Sequence, residues 1–150
     1  MKDISYAGRK VVITGAYSGI GAALVEVLRE LGADDITVLD VKAPTVPVER
    51  FIETDMGNPV SIDSAAAAIG EGVDVLFNMA AQTSHMGGQK DPVADIAINA
   101  VAQVRLIGVM REVAPSIAPG ERLIVVLPIV RSGRWGAPWT SLVRRRSAQW

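Results

Sequence analysis

The chain has no cysteine and a single histidine, His85, among its 150 residues. Disulfides, thiolate metal sites and a cysteine nucleophile are thereby excluded, and His85 has no second ligand near it in sequence, so no metal site is expected. A lone loop histidine of this kind reads as solvated, and no role is assigned to it. Aromatic residues make up only 5%, and all three tryptophans fall after Arg131. Tyrosine stops at Tyr17 and lysine at Lys90. No apolar run approaches a membrane span, and Met1 to Tyr6 carries no apolar leader. Neither export nor membrane insertion is therefore expected, and a cytoplasmic address follows by default.

What is present suits one domain. The composition is 49% hydrophobic with a mean hydropathy of +0.29, which fits a parallel sheet buried on both faces. The net charge of −1 hides an asymmetry. All sixteen acidic residues lie at or before Glu121, whereas five arginines, Arg131, Arg134, Arg144, Arg145 and Arg146, lie beyond Val130.

The most informative stretch is Thr14-Gly15-Ala16-Tyr17-Ser18-Gly19-Ile20-Gly21. It follows the β-branched run Val11-Val12-Ile13 and leads into Ala22-Ala23-Leu24-Val25, as a strand does when it feeds a phosphate-binding helix N-terminus. Gly15 permits the tight exit from the strand, Gly19 lets backbone amides approach a pyrophosphate, and Gly21 lets the helix pack near the sheet. No lysine follows the last glycine, which disfavours a P-loop. Taken alone, the turn is also compatible with an ordinary strand-to-helix connection.

The first strand is expected over Lys10 to Thr14 and the first helix over Gly19 to about Leu31, with Ile20, Leu24, Val27, Leu28 and Leu31 on its buried face and Gly32 ending it. Ile36 to Leu39 reads as a second strand that finishes at Asp40, nineteen positions after Gly21. Dinucleotide folds place there the carboxylate that accepts hydrogen bonds from the adenosine ribose; the alternative is a solvated loop aspartate. Arg50 to Thr54 reads as a short third strand, Ile62 to Ile69 as a covering helix with four consecutive alanines, and Val73 to Phe77 as a fourth strand. Gln82 to Lys90 reads as a polar loop. Pro92 to about Ala114 reads as one long helix, apolar around most of its circumference, which needs more than one surface to bury against. Arg122 to Leu127 reads as a fifth strand.

With Thr14 in front, the Gly-x-x-x-Gly-x-Gly spacing resembles the nucleotide-binding signature of the classical short-chain dehydrogenase/reductase family. The resemblance covers about residues 8–127. It implies a Rossmann-type, doubly wound α/β fold with a parallel sheet of strand order 3-2-1-4-5, incomplete at the C-terminal edge, occupying residues 1–130. It also implies NAD(H)-dependent hydride transfer with a small alcohol or carbonyl substrate. The cofactor-binding positions that carry over are Thr14, Gly15, Tyr17, Ser18, Gly19, Ile20 and Gly21, then Asp40, then Asp55 and Met56 at the adenine. Asn78, Ala80 and Ala81 follow, where the family has Asn-Asn-Ala-Gly and this chain has Asn78-Met79-Ala80-Ala81. NADP-using relatives carry a basic residue where this chain has Ser18 or Val41; with Asp40 repelling an extra phosphate and only Lys42 close by, NAD is the expected cofactor.

Asn99 falls at the helix asparagine through which the family relays protons, and relatives form homo-oligomers through the helix expected here over 92–114. The family's catalytic serine and Tyr-x-x-x-Lys have no counterpart: Leu127-Pro128-Ile129-Val130 stands where the serines belong. The one literal match, Tyr6-Ala7-Gly8-Arg9-Lys10, precedes the cofactor motif and contains a glycine, so it cannot place both side chains on one helical turn at a nicotinamide. Residues 131–150 form an irregular basic, tryptophan-rich tail. It reads either as a patch for nucleic acid or membrane, or as a stretch out of register with the fold before it through a frame change or truncation. The second is preferred, because the match to the family stops abruptly after Leu127 and no other stretch of the chain forms a basic patch. The chain as written is thus expected to bind NAD with little turnover; the rival is a non-catalytic nucleotide-binding or interaction module whose tail recruits a partner.

Overall fold

Among the described residues, parallel pairing of five short strands, with the third in sequence beside the second, then the first, fourth and fifth, makes the frame of the molecule. The computed structural model describes residues 4–113 and 124–126. In chain order the elements are β1 (Lys10–Thr14), α1 (Gly19–Glu30), β2 (Asp35–Asp40), β3 (Arg50–Glu53), α2 (Pro59–Ile69), β4 (Val75–Asn78), α3 (His85–Lys90), α4 (Pro92–Ile96), a π-helical turn (Ala97–Val101), α5 (Ala102–Val113) and β5 (Ile124–Val126). The strand order is the one expected. Leu127 to Val130 and the tail, with the boundary drawn at 130, lie outside the described residues.

The register aligns the strand ends that matter. Thr14 stands beside Leu39 and Asn78, and Asp40 beside Glu53, so β1, β2 and β4 finish on one edge. On the central strand, alternate side chains feed opposite faces. Val11 and Ile13 pack with Val25 and Leu28 of α1, while Val12 packs with Ile62 of α2 and with Leu106 and Met110 of α5. Each of the three β1 side chains is fully buried, which is why that strand reads as an unbroken apolar run.

Several expected boundaries and faces are corrected. Helix α1 buries Gly21, Val25 and Leu28, at i, i+4 and i+7. Ile20 and Val27 face outward instead, at 77% and 48% exposure. The cause is Gly21: a side chain there would collide with the Gly15 carbonyl oxygen and stand 2.9 Å from the Ala16 Cα. Closest approach at the glycine rotates the helix until Gly21 is innermost. Its other end behaves as read, with Gly32 at φ +88° and the Gly32 and Ala33 amides donating to the carbonyls of Arg29 and Leu28.

Helix α2 begins earlier than expected, at Pro59, because Asn58 caps it by accepting from the Val60 and Ser61 amides at 3.0 and 3.4 Å. Its C-terminal end is tied to β1 by Lys10, whose Nζ donates to the carbonyls of Ile69 and Glu71 at 2.9 and 2.7 Å. Strand β4 starts at Val75, since the Asp74 carboxylate turns aside to accept from the Lys10 amide at 2.8 Å. Within the expected polar loop, Ser84 accepts from the Gly87 amide at 3.0 Å and starts the short helix α3. The Glu49 carboxyl joins the loop before β3 to β2. Partial burial pushes its pKa up, but the Ile36 amide and the Arg29 guanidinium outweigh that and hold it below the usual carboxylate range.

The expected continuous helix over 92–114 is divided. A π turn at Ala97–Val101 separates α4 from α5, and Ala114 lies outside the described residues. Ala102, Leu106 and Met110 pack into the core, whereas Val93, Ile96, Val101 and Val104 are 60–76% exposed. Against the expectation that no segment approaches a membrane span, Pro92–Met110 is long and apolar enough to do so, with nineteen residues and a hydropathy of 1.5. Here one side of it lies on α2, where the Arg105 guanidinium grips both oxygens of the Asp63 carboxylate and holds that group below its usual range.

Candidate functional site

Where β1 ends, its backbone makes a turn that ordinary side chains could not follow. Gly15 adopts φ +71°, its amide donates to the Leu39 carbonyl at 2.9 Å, and a Cβ on it would stand 2.6 Å from the Ala80 Cα. The glycine therefore serves two purposes, exit from the strand and close approach to the turn that leaves β4. Gly19 adopts φ +61°, yet a Cβ there would meet nothing within 4 Å. Its surroundings are open crevice rather than packed protein.

Helix α1 starts at Gly19 with Ser18 as N-cap, and the Ser18 side chain makes no capping hydrogen bond. Such an end offers backbone N–H groups and the positive end of the helix dipole to an anion. Across from it, the Asp40 carboxylate spans the glycine turn: one oxygen accepts from the Tyr17 amide at 2.9 Å and the other from the Lys42 amide at 3.3 Å. Each oxygen retains a lone pair for a further donor. The Lys42 ammonium lies 5.3 Å from the centroid of the Tyr17 ring, a cation–π contact at the rim.

These groups line a crevice of about 570 Å³. Of the expected cofactor positions, Gly15, Tyr17, Ser18, Gly19, Ile20, Gly21, Asp40, Asp55, Met56, Ala80 and Ala81 border it. Thr14 and Asn78 do not; both are fully buried and act from beneath. The Ala80 amide donates to Thr14 Oγ1 at 2.9 Å, so the Thr14 hydroxyl proton goes to Asn78 Oδ1 at 2.7 Å. Asp55 Oδ1 accepts from the Gly57 amide at 2.7 Å, shaping the turn before α2. Met56 is only 8% exposed and packs with Leu39 and Ile62, so most of its side chain belongs to the core.

Asn99 stands beside the exit of β4. Its Oδ1 accepts from the Gln82 amide at 2.7 Å, and its Nδ2 donates to the Gln82 carbonyl at 3.0 Å and to Asp95 at 3.2 Å. The Tyr6 ring, far from any catalytic use, packs on Phe77 with centroids 6.1 Å apart. Sequence reasoning missed Thr54, Gln82, Thr83 and Ile98 on the crevice wall. It also missed Gln103, which is 7% exposed and donates to the Ala80 carbonyl at 2.8 Å. A glutamine set between Ala102 and Val104, at the helix position facing the core, was the available signal.

Comparison with known proteins places this arrangement. Residues 11–126 match the family model described as the NAD dependent epimerase/dehydratase family. Coniferyl-alcohol dehydrogenase from Pseudomonas sp. (strain HR199 / DSM 7063) is 33% identical over 134 residues, which are 87% of this chain and 46% of that protein. The chain thus spans about half the length of this relative. Among solved structures, the Bordetella bronchiseptica enzyme WbmF in complex with NAD+ is similar at a TM-score of 0.63 and 26% identity, over 81% of this chain and 36% of that one. The UDP-glucose 4-epimerase of Thermus thermophilus, in complex with NAD, is similar at a TM-score of 0.57 and 28% identity, over 69% of this chain and 34% of that one. With the family model spanning β1 to β5, the chain belongs to the NAD dependent epimerase/dehydratase family, in the extended branch of the short-chain dehydrogenases/reductases, although its glycine spacing resembles that of the classical branch.

Proposed function

We propose that this chain is the dinucleotide-holding part of an NAD-dependent oxidoreductase acting on a small alcohol or carbonyl compound. The observation that carries the reading is the Asp40 carboxylate standing across the glycine turn from the uncapped start of α1. The residues present fit NAD. The amides of the first turn of α1 suit the pyrophosphate, and the open space at Gly19 leaves room for it to approach the backbone. Asp40 accepts from the adenosine ribose hydroxyls, while its charge repels a 2′-phosphate, so NAD is favoured over NADP. Asp55 and the exposed edge of Met56 flank the adenine, and the β4 exit from Met79 to Ala81 closes the opposite wall.

When bound, NAD supplies the hydride acceptor, and the protein supplies orientation. A proton-handling group is a separate requirement. No tyrosine or lysine follows Lys90, which favours the reading that residues 1–150 bind the dinucleotide and turn over little. Asn99 falls at the position to which the resemblance assigns a proton relay through backbone and bound water, while its side chain holds Gln82 and Asp95. In an assay with NAD and a panel of primary and secondary alcohols, coniferyl alcohol among them, the chain should give a background rate. A robust NAD-dependent rate would overturn this part of the reading.

Two further features belong to the same proposal. A cytoplasmic address goes with it, with neither a nucleic acid nor a membrane as partner. The outward face of α4, the π turn and α5, with Val93, Ile96, Val101 and Val104, pairs with the same face of a second copy. Substituting Val101→Lys together with Val104→Lys should shift light scattering from dimer to monomer and leave NAD affinity within about twofold, since neither residue reaches the core. An unchanged mass would sink the pairing.

A further inference from the structure

We infer that Gln103 is a positioning residue for the crevice: its carboxamide fixes the Ala80 peptide, and through it the place of the glycine turn. The inference rests on the dinucleotide reading of the crevice and adds to it a residue outside the crevice wall.

The orientation of the amide is dictated by its partners. Both groups within reach are carbonyls, Ala80 O at 2.8 Å and Ile98 O at 3.1 Å, so Nε2 must face them. Its Oε1 is buried and has no hydrogen-bond partner among the described residues. A buried glutamine with an orphaned oxygen costs stability that a methionine or leucine of similar size would avoid. The two donated bonds are what this side chain offers in return, and one of them reaches the crevice.

That bond matters because the two peptides that flank the Ala80 Cα, and the Cα itself, are held from three directions. The Ala80 amide donates to Thr14 Oγ1 at 2.9 Å, and its carbonyl accepts from Gln103. Its Cα stands so near Gly15 that a Cβ on the glycine would be 2.6 Å away. Displacement of the Ala80 backbone is therefore felt at Gly15, whose turn it packs against, and Gly15 leads into the anion-binding turn. Two residues further on, Asn99 holds Gln82 by both its amide and its carbonyl. Asn99 and Gln103 lie four residues apart, across the π turn that ends at Val101. Together the two amides fasten the β4 exit to the helical segment, and Gln103 is the member that acts on the crevice floor.

The test uses the full chain with Gln103→Met, which keeps size and burial but removes both donated bonds. Amide exchange at Ala80 and Gln82, followed by NMR, should speed up about tenfold while the Val12 and Ile13 amides keep their wild-type rates. NAD affinity should weaken by a similar factor, about tenfold. Equal acceleration throughout β1 would mean a merely structural role and would overturn the inference, as would unchanged exchange at Ala80. Should Gln103→Met not fold, Gln103→Asn, one methylene short of Ala80, should show the same local change; wild-type exchange and NAD affinity in that variant would refute it. A wild-type chain that binds no NAD would defeat the dinucleotide reading and leave the exchange comparison to judge Gln103 separately.

Discussion

Gly21→Ala should remove measurable NAD binding, weakening it at least about a hundredfold, and should cost about 3 kcal/mol of stability. The added methyl would collide with the carbonyl oxygen of Gly15 and stand 2.9 Å from the Ala16 Cα. Both obstacles are backbone, so no side chain can swing aside to relieve them. To make room, α1 must move away from the β1 exit, and the first-turn amides leave the position where they face Asp40. Gly19→Ala is the informative comparison. A methyl there meets nothing within 4 Å, so its cost is the left-handed backbone at φ +61°, about 1 kcal/mol. Thermal melts should therefore separate the two variants, with only Gly21→Ala losing the fold's cohesion. Titration should bring them together again, because a methyl at Gly19 occupies the space a pyrophosphate needs. A Gly21→Ala protein with wild-type melting and wild-type affinity would show that the close approach is not what holds the turn.

Asp40→Ala should weaken NAD binding by roughly 10- to 100-fold, the worth of charge-assisted hydrogen bonds to ribose hydroxyls, and should leave NADP binding unchanged or improved. The carboxylate also accepts from the Tyr17 and Lys42 amides, so a loosened turn would contribute to the same loss. Asp40→Asn separates the two causes. Its amide oxygen keeps one of the two backbone contacts while the negative charge is gone. If charge governs the choice of cofactor, the NAD-to-NADP preference should collapse in both variants alike. If the turn is what matters, Asp40→Asn should keep most of the preference. Because Asp40 lies at the mouth of the crevice, neither change should shift stability by more than about 1 kcal/mol.

The parts of the site that could be read from sequence are those whose partners lie close by or follow from topology. Val11 to Gly21 announces a strand, a turn and a helix within eleven residues, and the right-handed crossover then puts Asp40 on the neighbouring strand. Strand order, observed as expected, was implied by the family resemblance and not by any local pattern. The buried face of α1 could not be read, because Ile20, Leu24, Val27, Leu28 and Leu31 form as good an apolar stripe as the observed Gly21, Val25 and Leu28. Periodicity weighs side chains, and the deciding contact is made by a residue without one.

Gln103 escaped for another reason. Its partner Ala80 lies 23 positions away, and no local pattern reports a hydrogen bond to a distant carbonyl. The π turn at Ala97–Val101 is equally silent in a pattern that continues helically on both sides. Met56 carried over as an adenine contact, but its flexible apolar chain also fits between Leu39 and Ile62, and burial took most of it. The early start of α2 was written in Asn58-Pro59, a cap followed by proline at the first helical position. The four alanines beyond it mark only the helix's C-terminal half.

Everything proposed for this chain depends on the crevice between Gly19 and Asp40 being a seat for NAD. Isothermal titration of the unmodified chain with NAD, and in parallel with NADP, tests it most directly. One saturable site per chain, with NAD bound more tightly than NADP, is the predicted result. Absence of saturable NAD binding by folded protein, or tighter binding of NADP, would contradict it.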